Sequence, residues 1–126
     1  MKKNALSDDE GVIVKSLCFD QSNDAMVILN ESRQMVAVNK AFEKVTGYEK
    51  DEVLGRTMSV LRSDYFDDTF YQEIWESAIK KGSWVGDVVN RKKDGTVYQT
   101  RFSLGAIKDS EEEKTFFHGT FVQIEF

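Results

Sequence analysis

The chain has 126 residues, 40% of them hydrophobic and 12% aromatic, with a formal net charge of −5. This length and composition support one domain around one core and argue against a disordered tail. The acidic balance argues against a nucleic-acid partner, because neutralising phosphates needs a basic face; the one basic cluster, Arg91-Lys92-Lys93, reads as a solvated turn beside Asp94.

The N-terminus, MKKNALSDDEGV, has lysines with no apolar run behind them, so no secretory signal is read. No apolar stretch approaches the ~20 residues of a membrane helix. The single cysteine, Cys18, leaves no intramolecular disulfide and fits a reducing compartment. The expected location is the cytoplasm, without membrane contact by this chain.

Ser7 with Glu10 three residues on resembles a capping box, and Val12, Ile13, Ser16, Leu17 and Phe19 follow as a helical stripe. The spacing predicts a helix over 8–18, so residues 1–19 are read as an N-terminal extension and 20–126 as the main domain. Ala25–Leu29 is a compact apolar strand, residues 30–33 a turn, and residues 34–38 the returning strand. Asn39 suits the N-cap of a helix over 40–46, and Gly47 its C-cap. A short helical turn follows at 50–54, closed by Gly55. Residues 56–65 have no clean period and read as a loop with room for one helical turn. The longest helix is predicted over 67–80, capped by Asp67 or Asp68, with Phe70, Ile74, Ala78 and Lys81 on one face, Tyr71 and Trp75 beside them, and Gly82 as its stop.

Residues 82–109 alternate with a period of two. Trp84, Gly86, Val88 and Asn90 share one face; after a tight turn at Asp94-Gly95, Tyr98, Thr100, Phe102, Leu104 and Ala106 alternate with Val97, Gln99, Arg101, Ser103 and Gly105. Residues 110–114 are a charged turn and 115–126 a final strand. It stops at Phe126 without a polar cap, as a piece cut from a longer protein would. A strand pair, a group of helices and a strand triplet predict an α+β fold, with one five-stranded antiparallel sheet covered on one face by helices. No catalytic constellation stands out. There is one Cys and one His, no phosphate loop and no metal-ligand spacing, and the paired acids at 8–9, 67–68 and 111–113 read as caps or solvated turns.

Over residues 17–126 the chain resembles a PAS domain. The segments carrying the likeness are AMVILNESRQMVAVN, NKAFEKVTGYEKDEVLGR, FYQEIWESAIKKG and SWVGDVVNRKKDGTVYQTRFSLGAIKD, in that order. The resemblance implies the strand order 2-1-5-4-3, a pocket between sheet and helices, and a sensory or dimerisation role within a larger, bacterial signalling protein. The stretch from Leu61 to Gly95 is similar to PAS modules that precede diguanylate cyclase, phosphodiesterase or histidine kinase domains, none of which is present here.

The same resemblance suggests what a pocket would hold. The run from Trp84 to Tyr98 is similar to PAS modules that bind flavin adenine dinucleotide (FAD), in which the residue matching Trp84 lines the isoalloxazine pocket and the one matching Asn90 can hydrogen-bond the flavin edge. An aromatic wall and an amide suit such a ring; equally, Trp84 can be core and Asn90 a tie between strand and helix. Light-sensing modules place a reactive cysteine just after the pair matching Gly55-Arg56, where this chain has Thr57 and Met58. Haem modules carry an axial His near the long helix, which has none here; His118 falls on the last strand. The cofactor is therefore left unassigned. The candidate pocket residues are Asn90, Trp84 and Tyr98, then Tyr71, Trp75 and Met58. The alternative is a ligand-free interaction module with its interior closed by Phe42, Phe70, Phe102 and Phe121. A homodimer through the N-terminal helix and the outer sheet face is expected on either reading.

Overall fold

The computed structural model describes residues 19–109 and 114–124. In chain order the elements are β1 (Ala25–Leu29), β2 (Met35–Val38), α1 (Lys40–Thr46), α2 (Lys50–Val53), a 3-10 turn (Met58–Leu61), α3 (Asp68–Lys81), β3 (Ser83–Arg91), β4 (Val97–Asp109) and β5 (Lys114–Gln123). The strands form one sheet in the order β2-β1-β5-β4-β3, with every neighbouring pair antiparallel. This is the α+β class and the strand order expected from the sequence. The helix expected over 8–18 lies outside the described residues; a helical turn over 19–21 precedes β1.

Local chemistry explains the element boundaries. The Asp67 carboxylate accepts from the Phe70 N–H at 3.1 Å and starts α3, and Gly82, at φ 91, takes the left-handed conformation that ends it. The hairpin loop is wider than a tight Asp94-Gly95 turn. It spans residues 92–96, with the Lys92 N–H donating to the Thr96 carbonyl at 2.8 Å and the Asp94 side chain accepting from the Thr96 N–H at 2.8 Å. The final strand ends at Gln123, short of the expected 126.

The inner sheet face carries the core. Ala25, Val27 and Leu29 of β1, Val88 of β3, Phe102 and Leu104 of β4, and Phe117 and Phe121 of β5 are buried under Phe42, Val53, Leu61, Ile74 and Ala78. Each fully buried large side chain of this kind contributes roughly 1.5–3 kcal/mol. Gly119 sits between Val27 and Leu104 in the ladder and leaves room for the Phe102 ring: a Cβ there would lie 2.9 Å from Phe102 Cε1. The outer face leaves Val85, Val97, Ile107 and Val122 exposed.

Asn39 does more than cap α1. Its Oδ1 accepts from the N–H groups of Phe42 and Met26, both at 2.9 Å, and its Nδ2 donates to the carbonyls of Asp24 at 2.9 Å and Phe19 at 2.8 Å. One buried amide thus joins the helical turn ahead of β1, the β1 strand and α1.

Candidate ligand pocket

The segment without a period, 56–65, forms one wall of the site because both its ends are pinned to the sheet. At one end the Met35 N–H donates to the Arg56 carbonyl and the Gly55 N–H to the Met35 carbonyl, both at 2.8 Å. At the other, Arg62 bridges to Asn90, and the Ser63 hydroxyl donates to the Val89 carbonyl at 2.8 Å. Between these ties the chain makes its 3-10 turn and stands off from the sheet. Helix α3 forms the opposite wall, with Tyr71, Ile74 and Trp75 on one face at the three- and four-residue spacing of a helix.

These walls enclose a cavity of about 390 Å³, at the small end of the roughly 300–1,000 Å³ typical of ligand sites. Its floor is Val88, Phe102 and Phe121, and the two rings stack with centroids 4.5 Å apart. Its sides are Leu61, Met58, Tyr71, Ile74 and Trp75. Asn90 closes one end: its Oδ1 accepts from the Thr100 hydroxyl at 2.8 Å, and its Nδ2 donates to the Leu61 carbonyl at 3.4 Å.

The rim is polar, with two arginines, Arg33 and Arg62, and one carboxylate, Asp68. The Arg62 guanidinium lies 4.0 Å above the Tyr71 ring and pairs with Asp68 at 2.8 Å. The Arg33 guanidinium lies 4.5 Å from the Trp75 ring centroid. The Tyr71 hydroxyl is buried beside Arg62 and Ser63, and burial raises its pKa despite these neighbours.

Of the six residues named from the sequence, Met58, Tyr71, Trp75 and Asn90 line this cavity, while Trp84 and Tyr98 do not. Trp84 and Asn90 share a strand face but stand six positions apart, about 20 Å along β3. The Trp84 indole instead lies over Gly86, edge-on to Phe70 at 6.1 Å and tilted against Phe102 at 6.3 Å. Tyr98 pairs with Asn90 but sits toward the hairpin loop, under Lys92, and burial pushes its phenol up to about 12. Of the phenylalanines expected to close the interior, Phe102 and Phe121 floor the cavity, Phe42 is in the core, and Phe70 stacks on Phe66 at 3.9 Å. His118 is on the outer sheet face, across the sheet from the cavity.

Sequence reasoning missed the rim arginines. Arg33 closes the β1–β2 turn at φ 67, a conformation that favours glycine or asparagine and that its residue type does not announce. Among the described residues, no group of three or more His, Cys, Asp or Glu is placed to hold a metal ion. No helix among them is long and apolar enough to cross a membrane.

Comparison with known proteins places this geometry. The chain is 23% identical over 94 residues to a nitrogen fixation regulatory protein of Klebsiella oxytoca, covering 75% of this chain and 19% of that protein. It is 29% identical over 108 residues to a blue-light photoreceptor of Listeria monocytogenes, covering 83% and 42%. The chain therefore spans less than half of either relative. Among solved structures, the PAS domain of a protein from Colwellia psychrerythraea superposes with a TM-score of 0.81 at 20% identity, covering 90% of this chain and 96% of that one. The LOV domain of the blue-light activated histidine kinase of Erythrobacter litoralis EL346 superposes with a TM-score of 0.74 at 22% identity, covering 84% and 100%. At these identities the structures speak for the fold. The model of the PAS domain family matches residues 23–124, most of the chain, and this protein belongs to that family.

Proposed function

We propose that the chain is the sensory module of a larger cytoplasmic signalling protein, with residues 1–19 as its extension. It binds a small organic molecule between α3 and the sheet and relays occupancy to an output domain, doing no chemistry itself. The observation that carries this reading is the 390 Å³ cavity walled by aromatic side chains on one helix face and floored by two stacked phenylalanines. A relay is at hand: Phe121 is in the floor, and Phe117 meets Trp75 edge-on at 5.0 Å. Displacement of α3 by a ligand is therefore felt along β5, the last strand. The cavity size favours a metabolite with one ring or a short chain over a flavin dinucleotide.

A second reading, a dimerisation module that needs no ligand, is favoured by the exposed outer-face residues Val85, Val97, Ile107 and Val122. The two readings separate by thermal shift against a metabolite panel, because a ligand that binds only the folded state raises the midpoint. A reproducible upward shift supports the sensory reading; a flat panel, with a colourless protein that sediments at twice the chain mass, supports the second. Visible flavin absorbance in the purified protein would instead assign the cavity to that cofactor.

A further inference from the structure

Resting on the pocket reading above, we infer that the ligand is an anion: a carboxylate carried on an apolar ring or short chain, with its head at Arg33 and Arg62 and its body on Phe102 and Phe121. Tyr71 and Trp75 are one helical turn apart on α3, so their Cβ atoms are about 5–6 Å apart. A guanidinium sits over each ring, Arg62 on Tyr71 at 4.0 Å and Arg33 on Trp75 at 4.5 Å. Two like charges are thereby held over one patch at the cavity mouth. Arg62 has Asp68 at 2.8 Å, with the Asp68 side chain 83% exposed; no carboxylate among the described residues pairs with Arg33. One anion facing two cations leaves the rim one positive charge in excess.

A further observation points the same way. Arg33 is the one non-glycine residue among those described with positive φ, at 67. A side chain held in the left-handed region is a local cost that clusters at ligand clamps. Glycine would make this turn with less strain; arginine makes it and places a cation over Trp75.

The test is an NMR titration of the 15N-labelled chain with 3-phenylpropionate, its neutral amide and 3-phenylpropylamine, read at the Trp75 indole N–H and the Asn90 side-chain amide. The carboxylate should shift both saturably and bind about two- to fivefold more tightly than the amide, the range a solvent-screened charge pair gives, with the amine weakest. Arg33→Gly relieves the left-handed strain, so it should keep its melting midpoint and lose at least half of the carboxylate preference. An amide that binds as tightly as the carboxylate, or a preference undiminished in Arg33→Gly, overturns the anion inference and leaves the pocket reading standing. If none of the three compounds shifts either signal, the pocket reading falls and takes the inference with it.

Discussion

Replacing Asn90 by alanine separates a structural amide from a ligand-contacting one. Asn90 is 7% exposed and Thr100 0%, and the Thr100 hydroxyl donates to Asn90 Oδ1 at 2.8 Å. Asn90→Ala leaves that hydroxyl buried and unpaired, which costs roughly 2 kcal/mol. The 3.4 Å bond to the Leu61 carbonyl is long, and its loss adds about 0.5 kcal/mol. Because Asn90 already borders the cavity, truncation widens an existing space and the packing cost is small. The sum, about 2.5 kcal/mol, corresponds to a fall in Tm of roughly 8–12 °C for a chain of this size. Adding Thr100→Val removes the orphaned hydroxyl, so the double variant should be more stable than Asn90→Ala alone by about 1 kcal/mol. Urea unfolding followed by far-UV circular dichroism, on all four members of the cycle without ligand, reads these differences. A cost under about 0.5 kcal/mol for Asn90→Ala, or strict additivity of the two substitutions, would refute the bond and leave Asn90 free for a ligand.

Three further predictions follow from buried groups elsewhere. Asn39→Ala abolishes four bonds made by one amide and should cost about 3–4 kcal/mol in urea unfolding, well above an ordinary cap loss of ~1 kcal/mol. Gly119→Ala places a methyl 2.9 Å from Phe102 Cε1 and 3.1 Å from Val27 Cγ2, an overpacking worth about 1–3 kcal/mol that a thermal melt detects. The Tyr98 phenol, pushed up to about 12 by burial, stays protonated in the folded chain while the unfolded chain ionises near 10. Stability should therefore be intact below pH 10 and decline as the pH rises from about 10 toward 12, a slope that Tyr98→Phe reduces relative to wild type in pH-dependent unfolding.

The strands and long helix were legible because their signals are local. Period-two alternation from Trp84 to Ala106 predicts the β3–β4 ladder and its inner face, and Asp67 with Gly82 brackets α3 to within a residue. Asn39 was legible as a cap, since that bond spans three residues, but not as the tie to Met26, Asp24 and Phe19, which depends on β1 returning beside α1. The cavity was half legible. Tyr71 and Trp75 follow from helical spacing. Trp84 drew attention as an aromatic on the correct face, yet its indole packs over Gly86 against Phe70 and Phe102, contacts that strand periodicity does not specify. The wall at 56–65 has no periodicity because backbone pairing with Met35 and Asn90 and one bond from the Ser63 hydroxyl to the Val89 carbonyl shape it, and such ties leave no repeating side-chain pattern. Arg33 read as a turn residue, and only the backbone, at φ 67, shows that arginine stands where glycine fits better.

The central claim, that the interior holds a small molecule, is tested most directly by native mass spectrometry of the 126-residue chain isolated without denaturation from its native cells, beside a Val88→Phe variant. Val88 is buried in the cavity floor, so a phenyl group there occupies the space a ligand would use. The account predicts a wild-type species heavier than the 14.5 kDa chain by the mass of one small organic molecule, absent from a folded Val88→Phe. The bare chain mass in both, or an equal adduct in both, would contradict it.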